Sequence, residues 1–497
     1  MSFNSNITIS ANLLMVAMLT YIYVGIALFL FGWCAWYVSI PCALALSYVV
    51  VNMIRDCKSC AQVTIRPSTI IGIIVIGVIS YAIGWGRFTE QAADYAKHNA
   101  IMNDLVSQEW PVVYEGSNGE SALLTYYLGQ YLFPCLVGKF FASYRIAEIL
   151  NAIWSYWGIT LVYINLTRIL KSKSAFHDFI ILFLILFFSC PTEIGSATLS
   201  LFVKEVPYHN TQWFCYDSHI KLQYSSSIVA LRWVYPQVIV NWMILTIFIE
   251  NHKKTQYYIP LLLPALFYGS LSFLGLIPYA IVGAVSQFVS SKDKVSVMKS
   301  LLSPYNILTS VTLGLVIIVY LLGNVASQKP VELSFRLTDY SGRWAIYIVF
   351  VTVMVMIYML LLAKENWKNW MFYTTMFSLS LYPLFTMGYH NDFTMRCSIP
   401  ALYVMMVMTT KLLMNFKKAI LRATIMSVLI LLSSARFCYH TLDALKSDDI
   451  TQLADNYSYG TMGRFIYRDD PTIDKSLKYN YFTYDLSESP FYKYFAR

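Results

Sequence analysis

The stretch ADYAKHNAIMNDLVSQEWPVVYEG, Ala93 to Gly116, holds four carboxylates, an ammonium and an imidazole in a chain otherwise rich in apolar runs. If residues 92–106 form a helix, ~100° per residue places Asp94, Lys97, Ile101 and Asp104 within an arc of about 80°, with His98 beside Asp94 on its other side. A carboxylate so placed can take the proton of an attacking hydroxyl, and neighbouring cations can hold a departing anion. Arg232 in RWVYPQ, Arg343 in SGRWAIY, and Asn391, Asp392 and Arg396 in GYHNDFTMRCSIP could supply further contacts to an oxyanion such as phosphate. The same residues also fit a plainer pattern. A polar helix after a span can be a solvated surface with pairs worth ~0.3 kcal/mol, and Asp392 and Arg396 can belong to a tight turn with a snorkelling arginine.

The elements that must position these groups are membrane helices. Of the 497 residues, 57% are hydrophobic and 13% charged, and mean hydropathy is +0.54. An average soluble domain carries about 25% charged residues, so an ordinary water-soluble enzyme is excluded. Apolar runs recur as far as Phe437, and backbone in lipid must satisfy its own hydrogen bonds. The fold class expected is all-α integral membrane, with about thirteen transmembrane helices. They fall near Leu13–Phe31, Ala35–Ile54, Thr69–Trp85, Ile146–Thr167, Phe176–Ile194, Ile228–Ile249, Tyr257–Phe273, Leu276–Val289, Asn306–Gly323, Ala345–Leu362, Met371–Gly388, Ile399–Met414 and Ile420–Arg436.

The net charge of +9 is spread over short loops and carries topology, with no footprint for nucleic acid. RDCKSCAQVTIRPS, RILKSKS, ENHKKTQ, SSKDKVSVMK, KENWKN and KLLMNFKKAILR share one side if the N-terminus is cytoplasmic. The polar helix, the GYHNDFTMR segment and the tail from Phe437 then face away from the cytosol. Counting Ala122–Ala142 as a span would reverse this order, so it reads as a re-entrant or interfacial pair of helices broken near Pro134, with Tyr126, Tyr127 and Tyr131 at the lipid boundary. The domain reading is 1–436 as the transmembrane domain, with 86–145 as its outer loop, and 437–497 as an outer tail or small cap. The Cys57–Cys60 pair lacks a second pair to complete a zinc site, and the spacing of His209, Asp217 and His219 matches no zinc signature.

The phrases DYAKHNAIMNDLVSQEWPVVY, LTYYLGQYLFPCLVGK, LGLIPY and NDFTMRCSIPAL, in that order, resemble those of a group of bacterial multi-pass proteins. The succession of span, acidic outer helix, Tyr-rich segment and span resembles the opening of GT-C type membrane glycosyltransferases. The resemblance implies a sugar donor on a polyprenyl phosphate, a catalytic carboxylate in the first large outer loop at Asp94, and an active site on the extracytoplasmic face of a bacterial inner membrane. The departures are two extra spans before the loop and no second acid beside Asp94, Asp104 being the nearest. Lys97, His98, Arg343 and Arg396 would then serve as phosphate partners. The acceptor would be an envelope glycan, a lipid or a protein, and attack opposite the phosphate would invert the anomeric centre. No cofactor is required, although the scheme leaves room for a divalent cation. Three other readings stay open, a polysaccharide polymerase, a lipid-linked glycan transporter or flippase, and a non-catalytic assembly or scaffold protein, the last favoured if Asp94, Arg343 and Arg396 lie far apart. The second is disfavoured by spans with few charged residues, Glu148 and Glu193 among them, and by the lack of a clear internal repeat.

Overall fold

Apolar runs separated by basic or amide-rich breaks fold as helices almost throughout, in the order α1 (Ala11–Trp33), α2 (Trp36–Asp56), α3 (Pro67–Ala82), α4 (Tyr95–Ser107), α5 (Leu132–Phe140), α6 (Tyr144–Ile169), α7 (Ala175–Phe187), α8 (Thr192–Leu199) and α9 (Ser227–Asn251). The helices Ser270–Ser290, Lys294–Leu322, Trp344–Asn366, Trp370–Leu381, Asp392–Met414 and Ile420–Ala444 follow. The computed structural model describes residues 6–56, 62–89, 91–92, 94–115, 121–203, 212–217, 219–324, 333–335, 339–341, 343–388, 390–444, 460–467, 480–484 and 486–497. The Cys57–Cys60 motif, His209 and most of the tail between 445 and 479 lie outside the described residues. Local chemistry sets several helix starts. The hydroxyls of Ser10, Ser143, Ser174 and Ser226 accept backbone N–H groups that open α1, α6, α7 and α9, and Pro67 begins α3, where no N–H is needed.

The chain is an all-α, multi-pass membrane protein. Among the described residues eight helices are long and apolar enough to cross a bilayer, or nine if α7 and α8, bent by 54°, form one span. The expected count of about thirteen is not reached. The physical reason is length. Helix α3 has 16 residues, about 24 Å against a ~30 Å core, Trp370–Leu381 has 12, and in residues 255–267 one short α-helical turn, Tyr258–Leu262, lies between two 3-10 turns.

Contacts sort the loops into two ends. At one end Arg66 donates to the Ser172 carbonyl and Arg168 to Glu250 at 2.5 Å. There too Lys254 donates to the Asp56 carbonyl at 2.9 Å, Thr255 to Ser300 at 2.7 Å, and Arg422 to Glu365 at 2.5 Å. The basic loops therefore gather on one face. At the other end the Arg497 amide meets the Trp33 carbonyl at 2.9 Å, Asn324 donates to the Thr125 carbonyl at 3.2 Å, and Asn391 donates to the Lys221 carbonyl at 3.0 Å. Helix α9 and the Asp392–Met414 helix form the interior, each 89% buried along its most apolar window, whereas α2 and Ser270–Ser290 are 28% buried and form the rim.

The stretch Ala122–Ala142 is not a pair of helices. Its first part is strand β4 (Ser121–Leu124), between β3 (Val113–Glu115) and β9 (Phe482–Tyr484) in an antiparallel sheet. Its second part is α5, nine residues long with Pro134 inside its first turn, about 14 Å and too short to cross. The tail boundary also moves, because the last long helix runs through 437 to Ala444 and β9 returns the chain to the fold.

Candidate functional site

Helix α4 begins one residue after Asp94, so that carboxylate sits at the positive end of the helix dipole. Asp94 and Lys97 form an ion pair at 2.8 Å. Burial alone would raise the Asp94 carboxyl, but the Lys97 ammonium, with His98 and Arg396 near, outweighs it and holds the group below its ordinary value. At neutral pH it is an ionised acceptor. The second cation comes from the start of the Asp392–Met414 helix, where Arg396 Nε meets Asp392 Oδ1 at 3.1 Å and Arg396 Nη1 points to the Tyr127 hydroxyl at 3.5 Å. The side chains of Asp94, Lys97, Asp392 and Arg396 are 30%, 20%, 29% and 18% exposed, so the cluster is recessed yet reachable.

That second helix starts at Asp392, ahead of the expected Ile399, so Asp392 and Arg396 are helical residues one turn apart. Gly388 (φ 82°) and Asn391 (φ 53°) make the left-handed turn before it. A Cβ at Gly388 would lie 2.6 Å from Asp392 Oδ2, so glycine lets the carboxylate fold back over the turn. Asn391 is spent on this geometry. It accepts from the Thr394 amide and donates to the Thr394 hydroxyl at 2.7 Å and to the Lys221 carbonyl. It is 2% exposed, which corrects its assignment as a substrate contact. His390 shares a 3.3 Å hydrogen bond with Tyr216 and sits in electrostatic contact with Asp392, Lys221, Asp94 and Lys97, and burial lowers its imidazole below the ordinary range.

Other expected residues land elsewhere. His98 shares a 2.7 Å hydrogen bond with the Tyr131 hydroxyl, and burial pushes its imidazole down to about 4. It is neutral at physiological pH and is not a cation for phosphate. Asp104 shares the Asp94 side of α4 but lies about 15 Å further along the axis. There it accepts from the Tyr114 hydroxyl and the Met462 amide, each at 2.7 Å, and burial raises its carboxyl. It anchors β3 and the 460s segment and stands apart from the cluster. Arg343 pairs with Asp217 at 2.6 Å and is half-exposed, beside the β5–β6 hairpin (Cys215–Tyr216, Lys221–Leu222). Arg232, on the first turns of α9, has its Nε buried without a hydrogen-bond partner among the described residues and faces Tyr95.

Of the three tyrosines Tyr131 is internal, and Tyr126 and Tyr127 are partly buried. Tyr131 is fully buried and so cannot meet lipid. Tyr126 packs at a tilt against Tyr127 at 3.6 Å and against Tyr481 at 4.7 Å between ring centres. Tyr481 is the residue that sequence reading missed. Its only signal was the tyrosine content of the tail.

The other face of α4 closes a second polar group. Glu148, 4% exposed, lies between Arg87 and Arg145, each at 3.1 Å. Glu148 and Arg87 border a small pocket lined also by Gln91, Tyr95, Asn99, Asn151 and Tyr235, with room for about one water molecule. Among the described residues no group of three or more His, Cys, Asp or Glu is placed to hold a metal ion. No protein-family model, curated protein or solved structure matches the chain.

Proposed function

We propose that this protein is an integral-membrane glycosyltransferase that moves a sugar from a polyprenyl phosphate to an extracytoplasmic glycan, lipid or protein acceptor. The observation that carries the reading is the convergence of an ionised Asp94 with Lys97 and Arg396 in a recess at the end of the bundle opposite the basic loops. The acceptor oxygen attacks the anomeric carbon as the bond from that carbon to the phosphate oxygen breaks. Asp94 takes the hydroxyl proton, and the polyprenyl phosphate leaves with the bonding electrons, its new charge met by Lys97 and Arg396. In-line attack inverts the anomeric centre.

The same proposal places the protein in a bacterial inner membrane with the basic end in the cytosol. Four further segments then complete thirteen passes: α3, residues 258–269, 370–384 and the Ile420–Ala444 helix. Contacts support this, since α3 follows Arg66 at the basic end and leads to Trp85, which bonds the Leu231 carbonyl near the start of α9. Local thinning of the bilayer accommodates a helix a few ångströms short at modest cost.

Purified protein in nanodiscs, given polyprenyl-phosphate sugars and a membrane extract as acceptor, is expected to release polyprenyl phosphate. Asp94→Asn is expected to lose that release by about a thousandfold, within the range for an essential general base, while Asp94→Glu retains part of it. Undiminished transfer by a well-folded Asp94→Asn protein would remove Asp94 from the mechanism.

A further inference from the structure

The tail returns to the site through β9. Its register against β4 pairs Leu124 with Phe482, Leu123 with Thr483 and Ala122 with Tyr484. The Thr125 amide donates to the Tyr481 carbonyl at 2.8 Å, and the Thr125 and Thr483 hydroxyls share a hydrogen bond at 2.7 Å. Asn324 closes the corner by donating to the Asn480 carbonyl at 2.7 Å. Beyond β9 the last residues dock beside the α1–α2 turn, where Cys34 and Ala496 form a bridge. This set of contacts fixes the position of Tyr481, the first residue on the chain side of β9. Its ring lies on Tyr126, Tyr126 lies on Tyr127, and the Tyr127 hydroxyl receives Arg396. Tyr481 is in electrostatic contact with Lys97, Asp94 and Arg396, and burial pushes its phenol up to about 12, so it stays protonated and uncharged.

Resting on the sugar-transfer reading, we propose that the C-terminal strand is a wall of the site and that Tyr481 is a positioning residue. Packed at a tilt against Tyr126, it holds the Tyr126–Tyr127 pair against Arg396 and screens Lys97, so that both cations face the phosphate of the lipid-linked donor and not outer water. The flat ring does this. The hydroxyl is not required.

The test uses the full chain in nanodiscs with Tyr481→Ala and Tyr481→Phe. The first readout needs no activity: labelling of Lys97 by a water-soluble amine reagent, followed by mass spectrometry. Labelling is expected to rise several-fold in Tyr481→Ala and to stay at the wild-type level in Tyr481→Phe. The second readout is kinetic. Tyr481→Ala is expected to raise the donor KM about tenfold, the scale of a lost aromatic contact, with the acceptor KM unchanged and Tyr481→Phe like wild type. If Tyr481→Ala does not fold, Tyr481→Leu fills the space without the flat ring and the same outcomes apply. Unchanged Lys97 labelling overturns the proposal whatever the activity. An unchanged donor KM, with Asp94→Asn inactive, overturns the positioning role and leaves the sugar-transfer reading standing. Increased labelling in a protein that transfers no sugar from any polyprenyl phosphate supports the wall and overturns the donor assignment.

Discussion

Acid is expected to destabilise the fold through one imidazole. His98 is buried against Tyr131, Tyr95 and Tyr235, and its imidazole is pushed from 6.5 down to about 4. Between those values the unfolded chain binds a proton that the folded chain refuses. The stabilisation from a neutral His98 is thus complete above the unfolded value and is lost as pH falls through the window. The full difference is about 3 kcal/mol, of which about 2 kcal/mol is gone by pH 5. For a chain of this length about 2 kcal/mol corresponds to roughly 2 °C in Tm. The assay is a thermal melt in nanodiscs at pH 7 and pH 5, comparing wild type with His98→Gln, which cannot take up the proton. Asp94, Lys97 and Arg396 surround the ring in both proteins, so the difference between the two pH differences isolates His98. Equal pH responses in the two proteins would refute the dry imidazole, and with it the packing of α4 on α5.

Two further predictions concern stability. Asp178 is fully buried and accepts from Arg66 at 3.2 Å, Ser68 at 2.6 Å, Thr69 at 3.1 Å and Ser172 at 2.5 Å; Asp178→Ala leaves Arg66 uncompensated and is expected to cost about 4 kcal/mol, seen as loss of the monodisperse peak after mild heating in detergent. In Gly25→Ala the new Cβ would lie 2.2 Å from the Gly129 carbonyl oxygen, a backbone contact that cannot yield, at an expected cost of about 2 kcal/mol. Gly77→Ala, whose nearest contact would be 3.5 Å, is the matched control with little change in melting temperature.

Hydropathy made the long spans legible: α1 was expected at Leu13–Phe31 and occupies Ala11–Trp33. Charge sorted the loops, because a lysine beside a span has few alternatives to water. The site was legible only in part. Asp94, Lys97 and Arg396 stood out as polar groups in apolar surroundings, yet the angular projection that put Asp104 on the same face leaves out the rise, which over ten residues carries it nearly three turns away along the axis. The start of the Asp392–Met414 helix was missed because its first turns carry Asp392 and Arg396, which depress the hydropathy that marked the rest. Tyr131 was misread because a ring with one polar tip suits both a membrane boundary and a buried hydrogen bond. Strand β9 left no trace, since three residues pairing across 358 positions of sequence have no local pattern to show.

A helix that lipid scarcely touches in the finished protein must nevertheless pass through lipid while the protein is being made. Helix α9 carries Gln237, Asn241 and Thr246, all buried, and such side chains are poorly tolerated by hydrocarbon. One partner is already waiting when α9 emerges, because Asn151 on α6 donates to the Tyr235 hydroxyl at 2.8 Å. The Ser272 hydroxyl that takes the Asn241 amide at 3.0 Å, and the Tyr403 hydroxyl bonded to Thr246, are synthesised afterwards. Biogenesis is therefore expected to be stepwise: the Asn241 amide and the Thr246 hydroxyl first bond the Gln237 and Trp242 carbonyls of α9 itself, α9 leans on α6, and the later segments complete the shelter.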